Sequence, residues 1–149
     1  MAAIKHASGV KLLIKVEDTP GGGVYSTYCT INAERGITFT AGMSETDQID
    51  CATPEEVAWV LREKTNLSAS ITGSGTVNTP DVGEFFDWLI DTASRSCKVI
   101  LDVPGADGGV IFTGNFHLNE FSLTGNRGEK AQASTSLSSD GEIAKTANT

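Results

Sequence analysis

The clearest period of two in this chain lies between Val110 and Leu118. Val110, Phe112, Phe116 and Leu118 are apolar at every even position except Gly114. Thr113, Asn115 and His117 hold the odd positions, and Ile111 breaks the rule. Such alternation marks a strand with one buried face. The phase flips at Asn119-Glu120, after which Phe121 and Leu123 carry the apolar side. Two adjacent polar residues at a phase flip predict a β-bulge that bends the strand between packed layers. Thr124 to Gly128 then supplies turn chemistry, and Ala131, Ala133, Thr135 and Leu137 alternate with Gln132, Ser134, Ser136 and Ser138. A long bent hairpin over 110–138 is the expected frame of the fold.

Upstream, Val10, Leu12, Ile14 and Val16 predict a first strand with Lys11 and Lys15 outward. Leu13 on its outer side is an anomaly that a contact between subunits would explain. Residues 1–9 read as an N-terminal arm, and Asp18 to Gly23 as a turn. Strands are expected over Tyr25–Ile31 and Ile37–Ala41. Residues 42–66 lose the two-residue period and are expected to be a long acidic loop, which in a small domain is usually functional or disordered. Thr53-Pro54-Glu55-Glu56 has the form of a helix capping box. Val57, Ala58, Val60 and Leu61 suit a short helix, while Val57, Trp59 and Leu61 suit an extended chain, and the pattern alone does not separate them. Trp59 is an anchor, inward to the core or outward to a partner. Leu67, Ala69 and Ile71 alternate with Ser68, Ser70 and Thr72 in a further strand that continues to Val77.

One helix is predicted over Pro80–Ser94, with Thr79 as its cap and Asp81 and Glu84 near its positive end. Val82, Phe85, Phe86, Leu89, Ile90 and Ala93 form its apolar stripe. Trp88 lies off that stripe and is a candidate contact for a neighbouring chain or a flank of the core. Cys97–Val103 is a strand rich in branched residues, Pro104 to Gly109 a turn, and residues 139–149 a tail that is loose unless a partner orders it.

A chain of 149 residues is long enough for one self-sufficient core. Its net charge of −8 opposes a groove that grips nucleic acid but suits a surface that DNA passes without sticking. No apolar run is long enough to span a bilayer, and no signal-peptide pattern follows Met1, so synthesis and assembly are expected in the cytoplasm. Cys29, Cys51 and Cys97 are widely spaced without a CxxC pair and read as reduced, buried small hydrophobes. His6 and His117 are isolated and the acids are scattered, so no catalytic, cofactor or metal residues are assigned and no enzyme is expected.

Several pieces occur in a telling order: Leu67-Ser68-Ala69-Ser70-Ile71-Thr72-Gly73-Ser74-Gly75, Phe85-Phe86-Asp87-Trp88, Val110 to Gly114, Phe121 to Gly125, and Ser134 to Gly141. Their order and spacing resemble the major tail tube proteins of long-tailed, siphovirus-like phages and of phage-like gene transfer agents. The likeness covers most of the chain from Leu67 onward, and the first 66 residues only in outline. It implies a mainly β fold, a β-sandwich or partly open barrel of two packed antiparallel sheets with one flanking helix. It implies hexameric rings stacked into a tube around a tape measure protein, closed by tail terminator and distal tail or baseplate proteins. DNA would pass through without specific binding, and the protein would reside in the virion tail, with no membrane. On this resemblance, ring and stacking contacts are expected at Leu13, Glu45, Asp47, Trp59, Arg62, Trp88 and Arg127. A type VI secretion tube and a monomeric β-sandwich binding module using Trp59, Trp88 or Tyr25 are the alternative readings.

Overall fold

The expected bent hairpin is the spine of the molecule. In the computed structural model, which describes residues 3–17, 22–26 and 33–148, β6 (Val110–Thr124) returns as β7 (Gln132–Ser139). Ladder register shifts between Leu118 and Glu120, leaving Asn119 as the bulge residue. Before the bulge β6 pairs with β5 (Arg95–Leu101) through Ile111–Phe116, and from Phe116 onward it pairs with β7. The bulge thus bends one strand so that it serves two layers.

The remaining described strands are β1 (Leu12–Glu17), β2 (Tyr25–Ser26), β3 (Glu34–Gln48), β4 (Trp59–Thr76) and β8 (Ala144–Ala147). All pair antiparallel in one sheet of order β2-β1-β5-β6-β7-β4-β3, with β8 added to β6. The two expected layers are therefore halves of one continuous sheet. It curls until Ile14 and Val16 of β1 share a core with Ala69 and Ile71 of β4, although these strands lie far apart in the ladder order. Among the described residues β1 approaches β3 without a joining ladder, so the barrel stays open. Val99, Phe116, Leu118 and Leu137 complete the interior.

The helix, α1 (Thr79–Ile90), is shorter than predicted and turned on its axis. Asn78 rather than Thr79 occupies the cap position, and Asp91 ends the helix in extended geometry. Its buried face is Asp81, Phe85 and Trp88. Trp88 is only 1% exposed, so of its two expected placements the core one holds and the neighbour contact is corrected. An apolar arc as wide as Val82 to Ala93 plus a tryptophan cannot all face one barrel end, and the largest side chain gains most from burial. Arg95 lies 5.3 Å from the Trp88 ring centre, adding a cation–π contact. Phe86, Leu89 and Ile90 consequently remain exposed.

Two segments expected to be loose are ordered. Residues 42–48 and 59–66 are not loop but the outer arms of the β3–β4 hairpin, closed by residues 49–58. The 139–149 tail also adds structure, because β8 pairs Ala144–Ala147 with Val110–Thr113. Once β7 diverges, that edge of β6 has backbone groups that need partners, and β8 supplies them. Gly141, at φ +98°, makes the intervening turn. In the N-terminal arm, Lys5 is tied by its Nζ to Asp107 at 3.2 Å. Of the strand expected over 25–31, Tyr25–Ser26 is observed; the rest lies outside the described residues, as does Cys29.

Candidate functional site

The register of four adjacent strands builds a surface that no single segment reveals. On the face of β3, β4, β7 and β6 turned away from the core, cross-strand rows read Glu34-Ser74-Ser134-Ser122, Gly36-Thr72-Ser136-Glu120 and Thr38-Ser70-Ser138-His117. Thr40-Ser68 and Thr76-Gln132-Thr124 extend it at the two ends. Ser122 and Ser134 hydroxyls hydrogen-bond at 2.5 Å. Neither Lys nor Arg occupies a described position of these rows, and Glu34 and Glu120 supply its carboxylates. A solvent face built from short hydroxyls, with a shallow depression between Glu34, Thr72, Ser134 and Glu120, presents no cation to clamp a phosphate.

The β3–β4 hairpin is the second feature. Gly42 pairs with Asn66 but Met43 pairs with Lys64, leaving Thr65 as an extra residue. Gly42 N–H donates to Asn66 Oδ1 at 3.2 Å, and Thr65 Oγ1 donates to the Gly42 carbonyl at 3.2 Å. A Cβ at Gly42 would run into the Asn66 side-chain amide, so a larger residue there would have to displace it and its hydrogen bond. Beyond this bulge six paired residues per arm project ~20 Å at ~3.4 Å per residue. One face carries Met43, Glu45, Asp47, Val60, Arg62 and Lys64; the other carries Ser44, Thr46, Gln48, Trp59, Leu61 and Glu63. Arg62 Nε meets Glu45 Oε1 at 3.0 Å, in the open, where such a pair contributes ~0–1 kcal/mol. Trp59 is 83% exposed, the outward of its two expected placements. Of the extended alternative for 57–61, residues 59–61 are strand, since Trp59 opens β4. Thr53 caps no helix; its hydroxyl donates to Asp50 Oδ2 at 3.0 Å. Together with the Ala52 N–H at 2.9 Å, which is the stronger cause, this holds the Asp50 carboxyl below its usual pKa. Cys51, expected to be buried, is exposed at this tip.

The third feature is the barrel's asymmetry. Near Phe121, Phe85 of α1 plugs one end, ring centres 5.1 Å apart. The other end is a cleft of about 740 Å³ where Phe39 and Phe112 meet at 4.9 Å beside Leu67 and Ile143, with Lys64, Lys145 and Glu142 among its lining. Phe39 and Leu67 lie on the core-facing side of the sheet yet stay exposed there.

The remaining predicted contact residues are scattered. Leu13 is half-buried on the outer face opposite Ile100, and Arg127 is exposed in the β6–β7 turn. Glu45, Asp47 and Arg62 share one face of the hairpin, and Trp59 lies on its other face. Cys97 is buried, and desolvation pushes its thiol up to about 12, which makes it inert. Sequence reasoning missed the hydroxyl face as a unit. Its signal, Ser or Thr at alternate positions of 68–76 and 134–138, was visible strand by strand.

A family model for phage tail tube proteins matches residues 6–145. Among solved structures, a chain from the tail of an empty gene transfer agent particle, refined with C6 symmetry, superposes with a TM-score of 0.73. It is 24% identical, over 95% of this chain and 100% of that one. The tail tube of phage SPP1 gives 0.64 at 11% identity, over 96% of this chain and 80% of that one. The sheath-tube complex of an extracellular contractile injection system gives 0.61 at 13% identity, over 96% and 93%. These likenesses establish the fold. No curated protein sequence matches the chain.

Proposed function

Because this chain belongs to the phage tail tube protein family, we propose that it is the repeating subunit of a virion tail tube, assembled as stacked six-membered rings in the host cytoplasm. The cation-free hydroxyl face carries this reading. We assign it to the channel wall. A duplex moving through a tube needs a wall that is wetted but offers no charge-assisted grip on phosphate. Short Ser and Thr side chains meet the first need, and the absence of Lys and Arg in the described rows meets the second. Glu34 and Glu120 add mild repulsion. A tape measure protein would occupy the same channel before DNA does, with terminator and distal tail or baseplate proteins at the ends.

The exposed hairpin supports axial stacking. A two-stranded ribbon standing alone in water is marginally stable, and Trp59, Val57 and Leu61 on it are unburied. Contact with an adjacent ring would cover them, with Glu45, Asp47 and Arg62 setting register. A head-to-tail contact of this kind propagates, whereas a two-fold one would stop at a dimer. The binding-module alternative has lost two of its three aromatic candidates. Trp88 is buried, and Tyr25 is engaged by Ser96 at 2.7 Å and by Lys98 over its ring.

The test is self-association. Sedimentation and negative-stain imaging of concentrated protein, with and without a tail-tip initiator, should show rings or hollow tubes. Strictly monomeric protein under both conditions contradicts the reading.

A further inference from the structure

We propose that α1 is shared between two copies: its inner face plugs its own barrel, and its outer face plugs the open barrel mouth of the next copy along the tube. This rests on the tube reading and specifies one of its contacts.

The two surfaces lie at opposite ends of the subunit. Phe85 packs on Phe121 of β6, whereas the open mouth is centred on Phe112 of the same strand. Nine residues of strand, bent at the Asn119 bulge, separate them by at most ~30 Å at ~3.3 Å per residue. Repetition along that direction brings the helix end of one copy to the mouth of another. Both surfaces are apolar and unburied. On α1, Phe86 is 55% and Ile90 65% exposed, with Leu89 beside them; at the mouth, Phe39 is 51% and Leu67 77% exposed. Such paired apolar surfaces mark interaction sites on a soluble chain.

Charge selects the helix as occupant. Lys64 and Lys145 line the mouth, with Glu142 as the opposing charge there. The exposed flank of α1 carries Asp87 and Asp91, and its last turn has no basic residue. Carboxylates beside the apolar knob would meet ammonium groups at the rim, which fixes orientation as well as attraction. The contact is heterologous, because the donating and accepting surfaces differ, so each added copy leaves a free helix at one end and a free mouth at the other.

The test uses full-length protein assembled into tubes. In a Cys29→Ser, Cys51→Ser background, Leu67→Cys with Ile90→Cys should give a ladder of disulfide-linked oligomers on oxidation, and either cysteine alone should give none. Phe86→Glu with Ile90→Glu should raise the concentration needed for assembly at least ~10-fold without lowering the monomer's Tm. Asp87→Lys with Asp91→Lys should weaken assembly, and Lys64→Glu with Lys145→Glu should restore it. Normal tubes from the Phe86→Glu, Ile90→Glu variant without the cysteine ladder would overturn this docking while leaving the tube reading intact. In a second background that keeps Cys51 (Cys29→Ser only), a ladder formed by Leu67→Cys alone would give the mouth to the hairpin tip and likewise overturn it. Failure of the unmodified protein to form rings or tubes overturns the tube reading itself.

Discussion

Phe85 and Phe86 are neighbours in sequence and face opposite worlds. Phe85 packs 5.1 Å from the Phe121 ring and is 1% exposed, whereas Phe86 stands more than half exposed on the far side of the helix. Phe85→Ala should lower monomer stability by about 3–5 kcal/mol, the range for a truncated core phenylalanine. Phe86→Ala should change it by less than about 0.5 kcal/mol, as surface substitutions do. Urea denaturation of the unassembled protein separates the two, and equal losses would mean the helix is seated differently.

Gly42 and Asn66 direct the hairpin. In Gly42→Ala the new methyl displaces the Asn66 side-chain amide, and the Gly42 N–H loses its bond to Asn66 Oδ1 at the bulge. Amide exchange along Met43–Gln48 and Trp59–Lys64 should accelerate at least ~5-fold, equivalent to ~1 kcal/mol of local stability. The core should melt within ~1 kcal/mol of the parent, since the arms bury little. Adding Asn66→Ala should recover part of the protection. Unchanged exchange in Gly42→Ala would show that the bulge does not hold the arms.

The hydroxyl face makes a prediction about DNA. Thr38→Lys, Thr72→Lys and Ser136→Lys together place cations where the described rows have none. Each should alter stability by no more than ~0.5 kcal/mol. The triple variant should retain duplex DNA with log K falling by ~0.9 per decade of salt for each phosphate neutralised. Electrophoretic mobility across a salt series reads this, and the parent should show no retention.

The hairpin tip should respond to acid. The Ala52 N–H and the Thr53 hydroxyl hold the Asp50 carboxyl below its ordinary value of 3.8. A lowered carboxyl contributes order that is fully present above the unfolded pKa and is lost as pH falls through the folded one. Tip amides at Ala52 and Thr53 should therefore stay protected through pH 5 and 4 and loosen only at lower pH. NMR titration measures it, and Asp50→Ala should abolish the step.

Legibility in the sequence followed burial. The 110–138 hairpin, its bulge at Asn119 and the strand at Leu67–Ile71 were readable because one face of each is dry, and dryness is what creates a two-residue period. Met43–Gln48 and Trp59–Asn66 are wet on both faces, so the period vanished and a strand pair resembled a loop. The Glu45–Arg62 pair that marks their register becomes visible only after the register is known. Trp88 stays open between core and neighbour in the sequence because a helical stripe wider than its docking site has more than one rotation, and only the shape of the barrel end chooses the core. The channel face was hidden for a different reason. Each row is assembled from four strands, so its lack of cations is a property of the sheet.

The most direct measurement is a helical cryo-EM reconstruction of tubes grown from this protein. Six subunits per ring are expected, with Thr38, Thr72, Ser136 and Glu120 bordering the open channel. A map in which that surface faces outward or is buried between subunits, with Lys or Arg side chains lining the bore instead, would contradict it.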